Sequence, residues 1–590
     1  MLINYELWMN SGGLTGQTTI GAVDWNPIVC LGSAFSIPGL KSIGILLLTG
    51  VGITAYVRFH DKFSSKDYDE RGFTRSKYGT YGTASWMKDK ELKEILEIKP
   101  PSQADGIILG EKNGSVVCLP KDTRLNRHIA VFGASGTRKS RGVIRPALFT
   151  ILKRGESAVI TDPKAELYND TAELFRKNGY EVKVFNLVDP RHGDSWNCMS
   201  DLNGDTLLAQ VLTNVIISNT SEGKGDHFWD NGEANLLKAL VLYIDLDRSR
   251  SPETKNLAAA YQLLTQNSER QLTAMFDKLP LDHPARAPFN LFAQSSDTVR
   301  SGIILGLGTR LQVLQNQAVQ RITRQSDIDL TAPGRNKCIY YIVLSDQDAT
   351  MAFLSSLFFS FMFIKLTRYA DGRPNGRCDV PVNLILDEFN NIGRIGGAED
   401  GSDFARSLSV VRSRDIRVML TVQSLGQLQN RYPKNLWSEI IGNCDIQLML
   451  GCTDDVTAEY ISARSGDMSV QVNSTMTVRQ TIAVAQVIPQ YRHTEGQGRR
   501  RLLTPDEVLR LPNEELLCII RGHNILKLNK LDFTKHPMAK QIVKASVYDY
   551  KPTADTMIPE PIRSDIEPTP SKKAARRKSL YSSAQPPSEF

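Results

Sequence analysis

The sequence predicts an α/β fold in which a parallel sheet, covered on both faces, is interrupted by an all-α insertion. Three observations predict it. From Asn126 onward, short β-rich runs alternate with helical patterns: His128–Phe132, Ala158–Thr161, Val182–Phe185, Cys338–Leu344, Val382–Leu386, Val418–Val422 and Ile446–Leu450. These runs are nearly continuous in apolar residues rather than alternating, as a strand buried on both faces requires. Between about Ser195 and Ser326 strands give way to helical periodicity, as in Ala234–Leu246, Leu257–Gln266 and Ser301–Leu314. A strand-free helical stretch between two strand-rich ones reads as an inserted domain. No period of 20–50 residues repeats, which excludes a solenoid or propeller.

The chain has 590 residues, more than one compact core accommodates, and its composition is that of an ordinary globular protein. The expected organisation has a non-cytoplasmic segment over 1–36, a transmembrane helix over 37–58 and a connector leading into the main domain over 59–125. Two parts of the α/β domain, 126–194 and 327–547, flank the all-α insertion over 195–326. A Pro-rich tail over 548–590 holds seven prolines and few large apolar side chains, which predicts disorder.

Eight cysteines are scattered with no CxxC pair, which argues against a disulfide scaffold or zinc ribbon and for small core residues in a reducing compartment. The formal charge is +7, but Ser571–Lys578 alone carries +5, leaving +2 on the other 582 residues. Net charge therefore permits an acidic partner without requiring one.

The N-terminal apolar run Ser42–Val57, extended back through Ile37, reaches the ~20 residues that a helical span needs. No Lys or Arg precedes Lys41, whereas Arg58, Lys62, Lys66, Arg71, Arg75 and Lys77 follow the run. That asymmetry predicts a single pass in the cytoplasmic (inner) membrane with the bulk of the chain in the cytoplasm. The competing reading is a buried helix, which Gly44, Gly50 and Gly52 keep open.

The most informative stretch is HIAVFGASGTRKSRG, residues 128–142. A strand runs into Gly133, Ala134, Ser135, Gly136, Thr137, Arg138, Lys139 and Ser140, and a helical pattern follows. This is nearly G-x-x-x-x-G-K-[ST] in its strand–loop–helix setting. Consecutive backbone amides and a helix N-terminus cradle phosphate oxygens there. Lys139 is the candidate to neutralise the β- and γ-phosphates, and Ser140 the candidate to ligate Mg²⁺. Arg138 replaces the second Gly of the pattern. Its Cβ either strains the loop or blocks the phosphate, or its guanidinium adds a phosphate contact, and the sequence leaves these open.

A second signal is Val382–Leu386 running into Asp387 and Glu388. Asp387 is the candidate to hold the Mg²⁺ water shell, and Glu388 the candidate general base for the attacking water. Taken alone, the pair also fits a strand ending in a solvated acidic turn. Both motifs in order, each ending a buried strand, point to a P-loop NTPase. Gln423, at the end of Val418–Val422, is a candidate γ-phosphate sensor. Arg412 and Arg414 are candidate arginine fingers reaching a neighbouring subunit. Among the eight His there is no HExxH and no paired arrangement, so metalloprotease and thiol-hydrolase readings have little support.

Several stretches together resemble the coupling-protein ATPases of conjugative type IV secretion systems. They are YGTASWMKDKELKE (81–94), NRHIAVFGASGTRKSR (126–141), SAVITDPKAELY (157–168), FWDNGEANLLKAL (228–240), LILDEFNNIG (384–393), TVQSLGQLQNRY (421–432), GNCDIQLMLG (442–451) and RRLLTPDEV (500–508). The resemblance implies a RecA-like nucleotide-binding domain with the inserted all-α domain, a membrane anchor and ATP bound between subunits of a homo-hexamer. By position it makes Lys139 and Ser140 the nucleotide and Mg²⁺ residues, Asp387 and Glu388 the acidic pair, Gln423 the sensor and Arg412 the trans-acting arginine. It implies as partners single-stranded DNA, a relaxase–DNA complex and the other secretion-channel proteins. The chain departs from the family at Arg138 and Ala165, where glycine is usual, and shows one hydrophobic span where two are usual.

Two rivals stand beside a DNA-moving ATPase. One is a non-hydrolysing membrane receptor with a degenerate phosphate loop. The other is a chromosome-partitioning translocase, against which the helical insertion and TDPKAELY argue. The polar segment Ser465–Arg501, ending in three arginines, reads equally as a contact to DNA or a neighbouring subunit and as a surface excursion. The basic cluster Lys572–Lys578 fits DNA, anionic lipid or an acidic protein, though such a run in a loose tail is usually solvated.

Overall fold

The computed structural model describes residues 26, 28, 37–64, 68–221, 227–345, 351–398, 401–479 and 489–552. The expected segment 1–36 lies almost entirely outside them, as does the tail from 553. The chain divides into two units, one of residues 1–86 and 459–508, the other of residues 87–458 and 509–590.

The larger unit is built on a twelve-stranded sheet. In chain order its strands are β1 (Glu97–Lys99), β2 (Ile107–Lys112), β3 (Ser115–Leu119), β4 (Ile129–Gly133), β5 (Ser157–Thr161), β6 (Glu181–Asn186), β7 (Cys338–Val343), β8 (Val382–Leu386), β9 (Ile416–Val422), β10 (Ile446–Gly451), β11 (Glu515–Ile520) and β12 (Leu526–Asn529). Their spatial order is β1-β3-β2-β12-β11-β10-β4-β9-β8-β5-β7-β6. The seven strands from β10 to β6 are all parallel and are the seven that the sequence predicts. The other five pair antiparallel and extend the sheet beyond β10. They were not expected.

Every residue of β4, β5, β7, β8 and β9 is buried, which is why these strands read as unbroken apolar runs. Helices between the strands supply the covering layers, among them Arg145–Arg154, Glu166–Lys177 and Ala352–Asp371. The last is buried along most of its length, including Phe353, Phe358, Phe359, Phe361 and Phe363.

Between β6 and β7, which are adjacent in the sheet, the chain leaves for the helical insertion. Its described residues form helices Thr206–Thr220, His227–Leu246, Leu257–Gln266, Glu269–Asp277, Arg286–Ala293, Asp297–Arg310 and Gln317–Arg324, with no strand among them. Local chemistry sets several starts: Asp205 accepts from the amides of Leu207 and Leu208, Asn256 from that of Ala259, and Ser268 with Gln271 closes a capping box. The ordered chain reaches past the expected tail boundary at 548. The Tyr550 hydroxyl bonds the Asp194 carboxylate, and its ring meets that of Tyr168 edge-on at 6.0 Å.

The smaller unit contains helix Ile37–Ser64, 28 residues long. Ile37, Leu40, Ile45, Leu46, Leu47, Leu48, Val51 and Ile53 are exposed along it. Thr49 and Thr54 donate their hydroxyls to carbonyls one turn back, at 2.8 Å to Ile45 and 2.7 Å to Gly50. Among the described residues no helix is long and apolar enough to cross a membrane; the side chains of Pro38, Gly39, Ser42, Ala55 and 57–64 lie outside that set. The unit also holds an antiparallel pair, Asp467–Arg479 with Pro489–Arg501, so the segment read as polar is a long two-stranded ribbon. Its three arginines are engaged: Arg499 with Asp467 at 2.6 Å, Arg500 with Glu507 at 2.6 Å and Arg501 with Glu459 at 2.7 Å. Arg500 also lies over the Phe73 ring, 4.4 Å from its centroid. These pairings favour a structural role over a free cationic strip.

Candidate functional site

β4 is buried and ends at Gly133, delivering the loop Ala134–Arg138 to the carboxyl edge of the sheet. A Cβ at Gly133 would stand 2.6 Å from Thr137 Oγ1 and 3.0 Å from Lys139 Cγ, so only glycine fits where the loop folds back over the strand end. Gly136 adopts φ of +81°. The Thr137 hydroxyl donates to the Ala134 carbonyl at 2.7 Å, and the Ala134 amide donates to the Gly451 carbonyl at 2.9 Å, tying the loop to the end of β10. A π-helical turn, Ser140–Ile144, leads into helix Arg145–Arg154. Such turns recur at functional sites.

Lys139 is buried, and its ammonium donates to the Gly133 carbonyl at 2.8 Å. Burial pushes its pKa below the ordinary lysine value, and the carboxylates of Asp387 and Glu388 pull it back. The Lys139 ammonium therefore lies within electrostatic reach of both carboxylates.

That pair sits at the end of β8. One strand, β9, lies between β8 and β4. Asp387 is buried, and burial raises its pKa against the hydrogen bond from Thr421 and the charge of Lys139. Its Oδ1 accepts from the Thr421 hydroxyl at 2.7 Å and from the Glu388 amide at 3.0 Å. Thr161, at the end of β5, donates its hydroxyl to the Asp387 carbonyl at 2.7 Å. Glu388 adopts a left-handed conformation, φ +49°, an uncommon and strained state for a non-glycine residue. Its carboxylate accepts from Gln423 Nε2 at 3.3 Å and from Asn391 Nδ2 at 3.1 Å. The fold thus brings Lys139, Asp387, Glu388 and Gln423 to one edge of three adjacent strands.

Arg412 is not there. It is exposed just before β9 begins, at the opposite end of the sheet from the phosphate loop, and donates to the Arg124 carbonyl at 3.2 Å. Arg414, beside it, pairs with Asp371 at 2.7 Å.

Arg138 takes the first of the routes that the sequence left open, a strained loop backbone, and adds a contact that the sequence did not suggest. Its φ is +67°, so the loop keeps a glycine-like conformation, and its guanidinium pairs with Glu514 at 2.7 Å. Ala165, the other departure, also lies at positive φ, +54°, where helix Glu166–Lys177 begins. Both departures thus put side chains where the backbone is left-handed, at a cost of about 1–2 kcal/mol each.

Sequence reasoning missed four participants. Thr421 is two residues before the assigned Gln423, and a hydroxyl in an otherwise apolar run was the available signal. Asp162, inside TDPKAELY, is buried and accepts the Tyr168 amide at 2.8 Å; burial pushes its pKa up to about 7. Lys530 and Glu514 come from the antiparallel end and bear no motif.

Among the described residues no group of three or more His, Cys, Asp or Glu is placed to hold a metal ion. A divalent cation here needs oxygens from outside the protein, as Mg²⁺ held by one carboxylate, a hydroxyl and phosphates does.

Comparison with known proteins agrees with this geometry. The family described as Type IV secretory system Conjugative DNA transfer matches residues 78–558. Protein VirD4 of Rhizobium rhizogenes is 24% identical over 506 residues, 84% of this chain and 72% of the relative. Conjugal transfer protein TraG of Escherichia coli is 24% identical over 469 residues, 73% of this chain and 71% of the relative. Among solved structures, the plasmid coupling protein TrwB in complex with the non-hydrolysable ATP analogue ADPNP has a TM-score of 0.56 at 18% identity, covering 81% of this chain and 100% of that one. The unbound coupling protein TrwBdeltaN70 gives 0.56 at 18% identity, with 79% and 95% covered. These likenesses establish a shared fold, and the family match spans most of the residues that build it. The chain belongs to the type IV secretory system family for conjugative DNA transfer.

Proposed function

We propose that this conjugative coupling protein binds and hydrolyses ATP with Mg²⁺ and uses the turnover to move single-stranded DNA. It receives a relaxase–DNA complex at the cytoplasmic face and passes it to the secretion channel. The observation that carries the reading is the convergence of Lys139, Asp387 and Glu388 on the ends of β4 and β8, with Thr421 and Gln423 on the strand between.

Each residue's task follows from its surroundings. The loop amides and Lys139 hold the phosphates. When bound, Mg²⁺ neutralises charge developing on the β- and γ-oxygens, and the Ser140 hydroxyl and Asp387 are the protein groups that would hold it. Glu388, oriented by Asn391 and Gln423, takes the proton of the attacking water. The Thr421 hydroxyl fixes Asp387 beside it. Structures of the fold relative TrwB hold ADPNP, and ADP with Mg²⁺, which supports the same ligands here.

Arg412 is exposed and remote from its own chain's phosphate loop, which suits an arginine acting across a subunit boundary in a ring of six. A single membrane pass over helix Ile37–Ser64 is part of the proposal: apolar side chains are exposed along it and its threonine hydroxyls bond within the helix, while among the described residues no helix is long and apolar enough to cross a membrane.

Steady-state ATP turnover of the full chain, wild type beside Arg138→Gly, tests the reading. Wild type is expected to turn over within about threefold of the variant, because Glu514 already engages the guanidinium. Turnover in Arg138→Gly alone would overturn the motor reading and leave a non-hydrolysing receptor.

A further inference from the structure

The phosphate loop is braced by a part of the sheet that carries no motif. β11 and β12 form an antiparallel pair whose open end brings together Glu514, one residue before β11, and Lys530, one residue after β12. The Lys530 amide donates to the Glu514 carbonyl at 2.8 Å, closing that end. Lys530 is buried. Its ammonium donates to the Thr137 carbonyl at 3.0 Å, the Leu450 carbonyl at 2.7 Å and Asn513 Oδ1 at 3.2 Å. One side chain therefore joins the phosphate loop, the end of β10 and the turn before β11. Glu514 Oε2 accepts from Arg138, the residue next to Thr137, at 2.7 Å.

A buried ammonium is costly unless its donors are satisfied. Here three oxygens accept from it. The pKa of Lys530 falls to about 8, chiefly through burial; Arg138 opposes its charge and Glu514 favours it. An apolar side chain of the same length would fill the space without that penalty, so the charged group's distinctive contribution is the placement of the Thr137 carbonyl. The strain next door points the same way. Arg138 holds a left-handed backbone that glycine adopts freely, and something outside the loop has to keep it there.

We propose that Lys530 and Glu514 are positioning residues of the phosphate loop. Lys530 pins the Thr137 carbonyl to the end of β10, and Glu514 draws the Arg138 guanidinium off the phosphate-binding amides. Together they let a chain with arginine at this loop position bind a nucleoside triphosphate. The proposal rests on the phosphate-binding reading of residues 133–140.

Equilibrium binding of a fluorescent ATP analogue with Mg²⁺ to the full chain tests it, with urea midpoints recorded for every variant. Lys139→Ala is the control for the underlying reading: if it binds like wild type, the loop is not the phosphate site, whatever Lys530 does. With that control weakened, Lys530→Met is expected to bind about tenfold or more weakly. Lys530→Arg, which keeps the charge and the donors, is expected to recover most of the loss. Glu514→Gln is expected to weaken binding about threefold in wild type and to have no effect in Arg138→Gly, because its task there is gone. A folded Lys530→Met that binds like wild type overturns the role of Lys530. An equal loss from Glu514→Gln in both backgrounds overturns the role of Glu514. Glu514 is exposed, so its double-mutant cycle remains decisive even where Lys530→Met does not fold.

Discussion

In the parallel half of the large sheet the interior strands are buried throughout, and the candidate site residues stand beyond their carboxyl ends: Asp387, Glu388 and Gln423 by one or two residues, and Lys139 across the loop that follows β4. In the antiparallel end β1 is only partly buried and β12 alternates buried and exposed residues. No candidate site residue sits on those strands; the residues flanking β11 and β12 bond to the loop at Thr137 and Arg138. The contrast has a physical basis. Parallel strands all present their carboxyl ends to one edge, where loops and helix N-termini converge on a ligand. An antiparallel pair presents opposite ends at each edge, which makes a poor cradle but a good brace.

The sharpest way to break this division is at the parallel edge. Glu388→Gln and Lys139→Ala are each expected to lower ATP turnover by about a hundredfold or more. Turnover near wild type in Glu388→Gln would move the chemistry off the end of β8. Thr421→Val, on the intervening strand, removes the hydroxyl that donates to Asp387 and accepts the Glu388 amide. About a tenfold fall in turnover is expected, with ATP-analogue affinity kept within about threefold. An affinity loss as large as the turnover loss would make Thr421 a binding residue instead.

Next in size is a pH effect at Asp162. With its folded pKa raised to about 7, the folded state keeps a proton that the unfolded chain has lost, so stability falls as pH rises from about 4 to about 7. Urea midpoints of Asp162→Asn are expected to be flatter across that interval than those of wild type, and parallel curves would refute the assignment. The smallest effect is local strain. Ala165→Gly relieves a positive φ and is expected to raise stability by about 0.5–1 kcal/mol, read as a higher urea midpoint at unchanged slope.

The same contrast explains what could be read early. The seven parallel strands were legible because burial on both faces writes a continuous apolar run into the sequence. Lys139, Asp387, Glu388 and Gln423 were legible because each follows such a run. The five antiparallel strands were not. Leu526–Asn529 is four residues long and Glu97–Lys99 three, too short for periodicity to separate them from loop. Lys530 and Glu514 were invisible for a related reason: their partners at the loop lie 393 and 376 positions away in the chain.

The sequence by itself determined the α/β class, the helical insertion, the strand-end positions of the loop at 133–140 and of Asp387 and Glu388, and the family, because each depends on local patterns or on motifs in a fixed order. The tertiary structure alone decided three things. It brought Glu388 and Gln423 into contact, because strand order is set by pairing and not by sequence adjacency. It showed the ribbon arginines in ion pairs. It also resolved what Arg138 does. A side chain at a left-handed position is directed by whatever charge the fold sets beside it, and here that charge is Glu514.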